Sequence, residues 1–193
     1  RVDKNKKPGL IIKLIKDGGW SQVLVFTRTK HGANNLCKKM IKVNIQAAAI
    51  HGNKSQGART KALAGFKTGK VEVLVATDIA ARGIDIPLLQ NVIHYDYPAT
   101  MKLFIHRSGR TARAGQKGCS YGFLTTPEVP YIHDLSVFVG KKVVDSLASL
   151  SNSPFSQSKL SEEDQNELHL ANKSVTLEQL KEDPKYICFG KLP

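Results

Sequence analysis

Short, β-branched, almost continuously apolar runs alternate with helical patterns through the first 125 residues, and no other feature restricts the available folds as tightly. Val23–Thr27 (VLVFT), Ala47–Ile50, Val71–Ala76 (VEVLVA), Val92–Tyr95 (VIHY) and Ser120–Thr125 read as strands. A strand with one solvated face would alternate apolar and polar residues. These runs do not, so both faces are expected to be covered, as in a parallel sheet. Between them the pattern predicts helices over Pro8–Lys16, His31–Val43, Gln56–Lys67 and Met101–Arg113, with a helical turn at Ile79–Arg82. Leu36, Met40 and Val43 recur at helical spacing, as do Ala62, Leu63 and Phe66. The expectation is an α/β fold, a doubly wound parallel sheet flanked by helices. In such sheets the chemistry gathers beyond the carboxyl ends of the strands.

Further along, Glu128–Val139 (EVPYIHDLSVFV) reads as another helix with Pro130 in its first turn. After Asp145 the composition changes. Residues 1–145 are expected to form one domain, and 146–193 a Ser-rich linker with a mostly helical or irregular tail. Within that tail, helices are expected at Ser161–Ala171, with Ser161 as N-cap, and at Thr176–Lys181. Tyr186–Leu192 (YICFGKL) is apolar enough to need a docking partner, either the chain's own core or a neighbouring copy.

Several classes of function are poorly supported. No apolar run reaches the length of about 18 residues that a membrane span needs. The basic Arg1–Lys7 is not followed by an apolar signal core. Cys37, Cys119 and Cys188 are scattered and form no C-x-x-C pair, so packed thiols in a reducing compartment are expected rather than zinc or disulfides. Charge speaks more positively: 29 Lys/Arg against 16 Asp/Glu leave a net +13. Residues 1–150 hold 24 basic and 9 acidic side chains, and residues 151–193 hold 5 and 7. The excess belongs to the sheet-forming part and points to a polyanion, nucleic acid or nucleotide, rather than to solubility alone.

There is no G-x-x-x-x-G-K-[ST] phosphate loop and no G-x-G-x-x-G turn after a strand, so the chain does not cradle a nucleotide as a complete P-loop enzyme does. Three other clusters carry chemistry. In His106–Gly115 (HRSGRTARAG), Arg107, Arg110 and Arg113 recur every three residues and are expected on one helical face. Guanidiniums brought so close repel unless an anion lies among them, and their forks match phosphate oxygens. In Ala76–Asp85 (ATDIAARGID), Thr77 and Asp78 fall at the carboxyl end of a strand, followed by Arg82, Gly83 and Asp85. A buried Asp78 would need a cation, which one of those arginines could supply. In His51–Arg59 (HGNKSQGAR), Gln56 and Arg59 point the same way from a helix start that Ser55 can cap. Arg28 and Thr29 close the VLVFT strand in a position suited to backbone phosphates.

Taken in order, HG-x₃-Q-x₂-R, ATD-x-A-A-R-G-I-D and HR-x-G-R-x-x-R on an α/β repeat resemble the second RecA-like domain of the DEAD-box RNA helicases, over roughly residues 5–140. GIDIPLLQNVIHYDYPATMKLFIHRSGRTARAG, PYIHDLSVFVGK and the closing FGKLP are similar to the nucleolar Dbp10-type subfamily. The sequence departs from the commoner family wording at Ala112, at Ser108 and at Asn53–Ser55, without losing an arginine or Asp85.

The resemblance implies a RecA-like fold and half of a split site. ATP with Mg²⁺ would be bound mainly by an N-terminal RecA-like domain of the same protein, and this chain alone would be inactive. Arg110 and Arg113 would be arginine fingers, with Gly83 and Asp85 completing the nucleotide site. Arg107 would pair with Asp78 to brace the loop, and His106 would meet the partner domain. RNA, implied to be pre-rRNA in the nucleolus, would be held by Arg28, Thr29, Gly52, Gln56, Arg59, Thr77 and Arg82. No membrane partner is implied. A clamp that binds RNA or a preribosome, with ATPase secondary or lost, is the competing reading. The retained arginines and Asp85 favour the enzyme, since a clamp needs no cross-cleft fingers.

Overall fold

The computed structural model describes residues 3–81, 84, 86, 89–111 and 118–140, together with the strands Lys142–Asp145 and Tyr186–Phe189. Five strands, β1 (Val23–Thr27), β2 (Ala47–Ile50), β3 (Val73–Thr77), β4 (Asn91–His94) and β5 (Cys119–Gly122), form one sheet in the order β2-β3-β1-β4-β5. Every pairing in it is parallel. The helices are α1 (Lys7–Asp17), α2 (Lys30–Ile41), α3 (Gln56–Lys67), α4 (Asp78–Ala81) and α5 (Met101–Ser108).

The continuous apolarity of the strands has the expected cause. All five residues of β1 are buried, because successive side chains enter different cores. Val23 and Val25 pack with Ile11 and Ile15 of α1 and Leu36 and Met40 of α2. Leu24 and Phe26 face the other way, toward Phe66 of α3 and Ala80 and Ala81 of α4. Each large side chain so buried contributes about 1.5–3 kcal/mol relative to exposure. Lys7 is buried too, and its Nζ donates to the carbonyls of Tyr95 (3.0 Å) and Phe123 (2.9 Å), tying α1 to the carboxyl ends of β4 and β5. No helix among the described residues is long and apolar enough to cross a membrane.

Element ends differ from expectation for local reasons. The third strand starts at Val73 rather than Val71, because the Val71 amide donates to Gly65 O and closes α3. The second helix stops at Ile41, where Asn44 (φ 64°) turns the chain and the Ile45 amide returns to Met40 O. The helix expected over Met101–Arg113 ends at Ser108, the correction that matters most below.

Contacts divide the chain into two units, Val2–Thr126 and Pro127–Pro193, the latter with Arg1. The second unit contains α6 (Pro130–Val139), closed by Gly140 at φ 67°, and a parallel pair of strands, β6 (Lys142–Asp145) and β7 (Tyr186–Phe189). The compositional boundary at 145/146 thus falls between strands that pair with each other. The YICF run forms β7 and pairs in parallel with β6 of the same chain. The expected linker and the helices at 161–171 and 176–181 lie outside the described residues.

Candidate functional site

The register of β1 on β3 sets Thr27 beside Thr77, so the loop after β1 and the start of α4 meet at one edge of the sheet. Asp96, just past β4, joins them: its Oδ2 accepts from the Arg28 amide at 2.8 Å, and Arg28 Nη2 donates to Tyr97 O at 3.4 Å. Into this edge α5 delivers Arg107. Its Nε and Nη2 donate to the two oxygens of Asp78, at 2.6 and 2.7 Å, and Nη1 donates to Asp96 O at 2.8 Å. The guanidinium carbon lies 5.1 Å from the centroid of Phe26. Arg107 is 2% exposed, so its charge is tolerable only because this bidentate pair and the carbonyl answer its donors. Asp78 and Arg107, far apart in sequence, are therefore brought together. The anion expected among clustered guanidiniums is, for Arg107, a carboxylate of the same chain.

Arg110 is placed differently. Gly109 caps α5, donating to Ile105 O at 2.7 Å, and the Arg110 amide then bonds to Arg107 O in a turn. Arg110 O accepts from the Leu89 amide, while Thr111 Oγ1 donates to Leu89 O. The expectation of Arg107, Arg110 and Arg113 on one helical face is thus overturned for the first two. Glycine, a poor helix former, ends the helix between them. Buried Arg107, paired with Asp78, forms part of the wall of an open cleft of about 500 Å³, and half-buried Arg110 reaches the same cleft beside His106, Lys102, Thr100 and Phe26. His106 is exposed at this cleft. Arg113, Arg82, Gly83 and Asp85 lie outside the described residues.

A second group of sequence-selected residues lines the same carboxyl edge at β2. His51 follows β2 and is 3% exposed; its Nε2 meets Asn34 Oδ1 at 3.1 Å. Burial holds its pKa below the usual histidine value, helped by the charges of Lys54, Lys30 and His31. Gly52 is exposed beside it, with open space where a Cβ would stand. Ser55 caps α3 by accepting from the Ala58 amide, and Arg59 Nη1 donates to Gln56 Oε1 at 3.2 Å. Arg59 Nε is shielded and has no hydrogen-bond partner among the described residues. Thr29 is exposed but caps α2, its hydroxyl accepting from the Gly32 amide at 3.0 Å. Thr77 is half-buried at the end of β3. The edge therefore carries two neighbourhoods, a braced arginine cleft by α5 and a cationic strip by α2 and α3.

Sequence reasoning missed a polar triangle behind α5. His94, fully buried, places Nε2 2.8 Å from Ser120 Oγ and 3.3 Å from Ser108 Oγ, and the two hydroxyls are 2.9 Å apart. The imidazole stacks on Phe104 with ring centroids 4.7 Å apart. Burial and the neighbouring Arg107 charge push its pKa down to about 3, so it stays neutral. The triangle joins β4, β5 and the last residue of α5, and nothing in sequence spacing links the three. Thr100, whose hydroxyl accepts from the Leu103 amide to start α5, could have been found from its place before the helical run. Among the described residues no three His, Cys, Asp or Glu side chains gather as a metal site.

An open parallel sheet, wound on both faces, with arginines collected at its carboxyl edge, is the architecture of a RecA-like α/β domain. Residues 6–115 match the family described as the helicase conserved C-terminal domain. "ATP-dependent RNA helicase DBP10" of Gibberella zeae is 46% identical over 121 residues, covering 63% of this chain and 14% of that protein. The Candida albicans protein of the same name is 47% identical over 121 residues, 63% of this chain and 13% of its own length. Among solved structures, the Escherichia coli DEAD-box protein SrmB bound to RraA superposes with a TM-score of 0.66 at 33% identity, over 70% of this chain and 80% of that one. The C-terminal domain of the DEAD-box protein Dbp5 gives 0.65 at 29% identity, over 70% and 79%. The chain belongs to the helicase conserved C-terminal domain family, as a DEAD-box RNA helicase C-terminal domain of the Dbp10 type. It spans about one seventh of the length of the curated relatives it matches.

Proposed function

We propose that this chain is the second RecA-like half of an ATP-dependent RNA helicase that couples ATP hydrolysis to local unpairing of RNA. The observation that carries this reading is the Arg107–Asp78 brace, which holds the turn bearing Arg110 at the rim of an open cleft. The cleft fits a phosphate chain: Arg110 and Lys102 offer donors and positive charge, His106 a further polar side chain, and Phe26 an apolar wall. It does not offer Mg²⁺ a ready ligand, because both oxygens of Asp78 are engaged by Arg107. The metal and most of the nucleotide are accordingly assigned to a first RecA-like domain of the same protein. ATP supplies the phosphoryl group whose transfer to water drives the cycle.

In this reading Arg110, with Arg113, places a guanidinium against the phosphoryl oxygens as negative charge develops there, the role that makes arginine fingers worth about 10³–10⁵ in rate. Gly83 and Asp85 complete the pocket, Asp85 toward the ribose. His106 meets the partner domain. Arg28, Thr29, Gly52, Gln56, Arg59, Thr77 and Arg82 hold RNA phosphates and sugars, which positions a strand without reading its sequence. The resemblance to the Dbp10-type subfamily supports pre-rRNA as the substrate, ribosome biogenesis as the process and the nucleolus as the location.

The test is RNA-stimulated ATP hydrolysis by the full-length protein. Arg110→Ala should lower turnover by about a thousandfold or more while the unfolding transition stays in place, and this chain by itself should show no hydrolysis. Turnover by the isolated chain, or full activity in the variant, would overturn the split site.

A further inference from the structure

From Gly18 to Val71 the sequence contains no Asp or Glu, while Lys and Arg recur throughout. Part of that charge serves the carboxyl edge described above. The rest is sent by the fold to the other end of the domain. In a parallel sheet all strands start on the same edge, so each helix that precedes a strand ends there. The residues just before β1, β2 and β3 show this directly: the Val23 amide donates to Glu72 O (2.8 Å), the Glu72 amide to Gln46 O (2.8 Å), and Gln22 Nε2 to Phe66 O (3.0 Å). Lys16 lies in the last turn of α1, Lys38 and Lys39 in that of α2 with Lys42 as its C-cap, and Lys67 in that of α3, with Lys70 following the helix. All six are exposed. Their helices lie on both faces of the sheet, α1 and α2 on one and α3 on the other. The nearby carboxylates in sequence are Asp17 and Glu72, and Glu72 Oε2 is engaged by the Gln46 amide at 3.1 Å.

A helix dipole accounts for one cation in the last turn of each helix. It accounts neither for Lys42 and Lys70, beyond those turns, nor for the exclusion of acids over four successive elements, β1, α2, β2 and α3. Protein interfaces are depleted in lysine and anchored by aromatic or other apolar side chains. Here the large apolar side chain exposed on α2 is Ile41 alone. Point charges spread over separate elements are instead what neutralises a nucleic-acid backbone.

We propose that the edge where the strands begin is a second RNA surface, binding the phosphate backbone of duplex RNA through Lys16, Lys38, Lys39, Lys42, Lys67 and Lys70. It faces away from the cleft, so it holds a structured flank of the RNA while the carboxyl edge works on a strand. It recognises charge and shape, not sequence.

The test is fluorescence anisotropy of this chain with a labelled, blunt RNA duplex of about 16 base pairs, from about 50 to 200 mM salt. The triple variant Lys38→Glu, Lys39→Glu, Lys42→Glu should lose at least about tenfold in duplex affinity, and the slope of log K on log salt should fall by about two to three. A variant of equal charge change before and within α1, Lys4→Glu, Lys6→Glu, Lys13→Glu, should lose less than about twofold. Should the first variant fail to fold, the glutamine triple K38Q/K39Q/K42Q reads the same surface. Undiminished duplex affinity, or equal loss in the two triples, overturns the proposal. Loss of poly-glutamate binding with duplex binding intact also overturns it, in favour of an acidic protein. Such a failure leaves the split-site reading standing, because none of these lysines is at the cleft.

Discussion

Arg107 grips both carboxylate oxygens of Asp78, at 2.6 and 2.7 Å, from a position 2% exposed to solvent. The pair joins the last turn of α5 to the first residue of α4, and so ties two sequence motifs into one rigid corner.

Asp78→Asn should therefore cost more than an ordinary surface charge. It removes the counter-charge of a buried guanidinium while keeping the side-chain volume, and breaking such a pair costs about 3–5 kcal/mol when burial is complete. With Asp78 22% exposed, about 2–4 kcal/mol is expected. Urea unfolding of this chain measures it, and a loss under about 1 kcal/mol would show that the corner is held by other contacts.

Acid should weaken the domain through His94. Its folded pKa is about 3, below the free value of 6.5, so the unfolded chain binds the proton more readily. The stability this provides is complete above about pH 6.5 and drains away as pH falls toward 3, on the order of a few kcal/mol in all. His94→Gln keeps a polar group for Ser108 and Ser120 but does not titrate. The urea midpoint of wild type should fall more steeply than that of the variant between pH 6.5 and pH 4, and parallel profiles would contradict the assignment.

Arg59→Ala should change RNA binding without changing the fold. Removing one cation from the strip beside Gln56 should weaken single-strand affinity and make its salt slope shallower by about 0.7, the value for one phosphate contact. Anisotropy over a salt series reads both. An unchanged slope would remove Arg59 from the interface.

Thr100→Ala deletes the hydroxyl that accepts from the Leu103 amide at the start of α5. A loss of about 1 kcal/mol is expected, with Thr100→Ser restoring most of it. Because α5 also carries Arg107, the proposed split site predicts that the alanine variant of the full-length protein lowers turnover more than it lowers RNA affinity.

How much of this was legible beforehand depends on the range of the interaction. Burial on both faces makes strands continuously apolar, and that pattern located all five strands of the main sheet to within a few residues. The Ser55 cap and the Gln56–Arg59 pair lie within one helical turn, and spacing was enough to see them. The end of α5 was missed because a three-residue arginine repeat looks helical, whereas Gly109 and the pairing of Thr111 with Leu89 stop the helix at Ser108. The β6–β7 pair was missed because its strands are short and distant in sequence.

The chain alone determined the architecture, through the period of its apolar residues, and the family, through the spacing of its arginine, glycine and aspartate motifs. Tertiary structure decided which arginine is buried and which is displayed, that a histidine would sit between two serines, and that lysines scattered along three helices would share one edge. The physical reason is that local periodicity records only what a residue's own element requires. Partnership between elements is set by sheet register and strand order, and these exist only once the chain has folded.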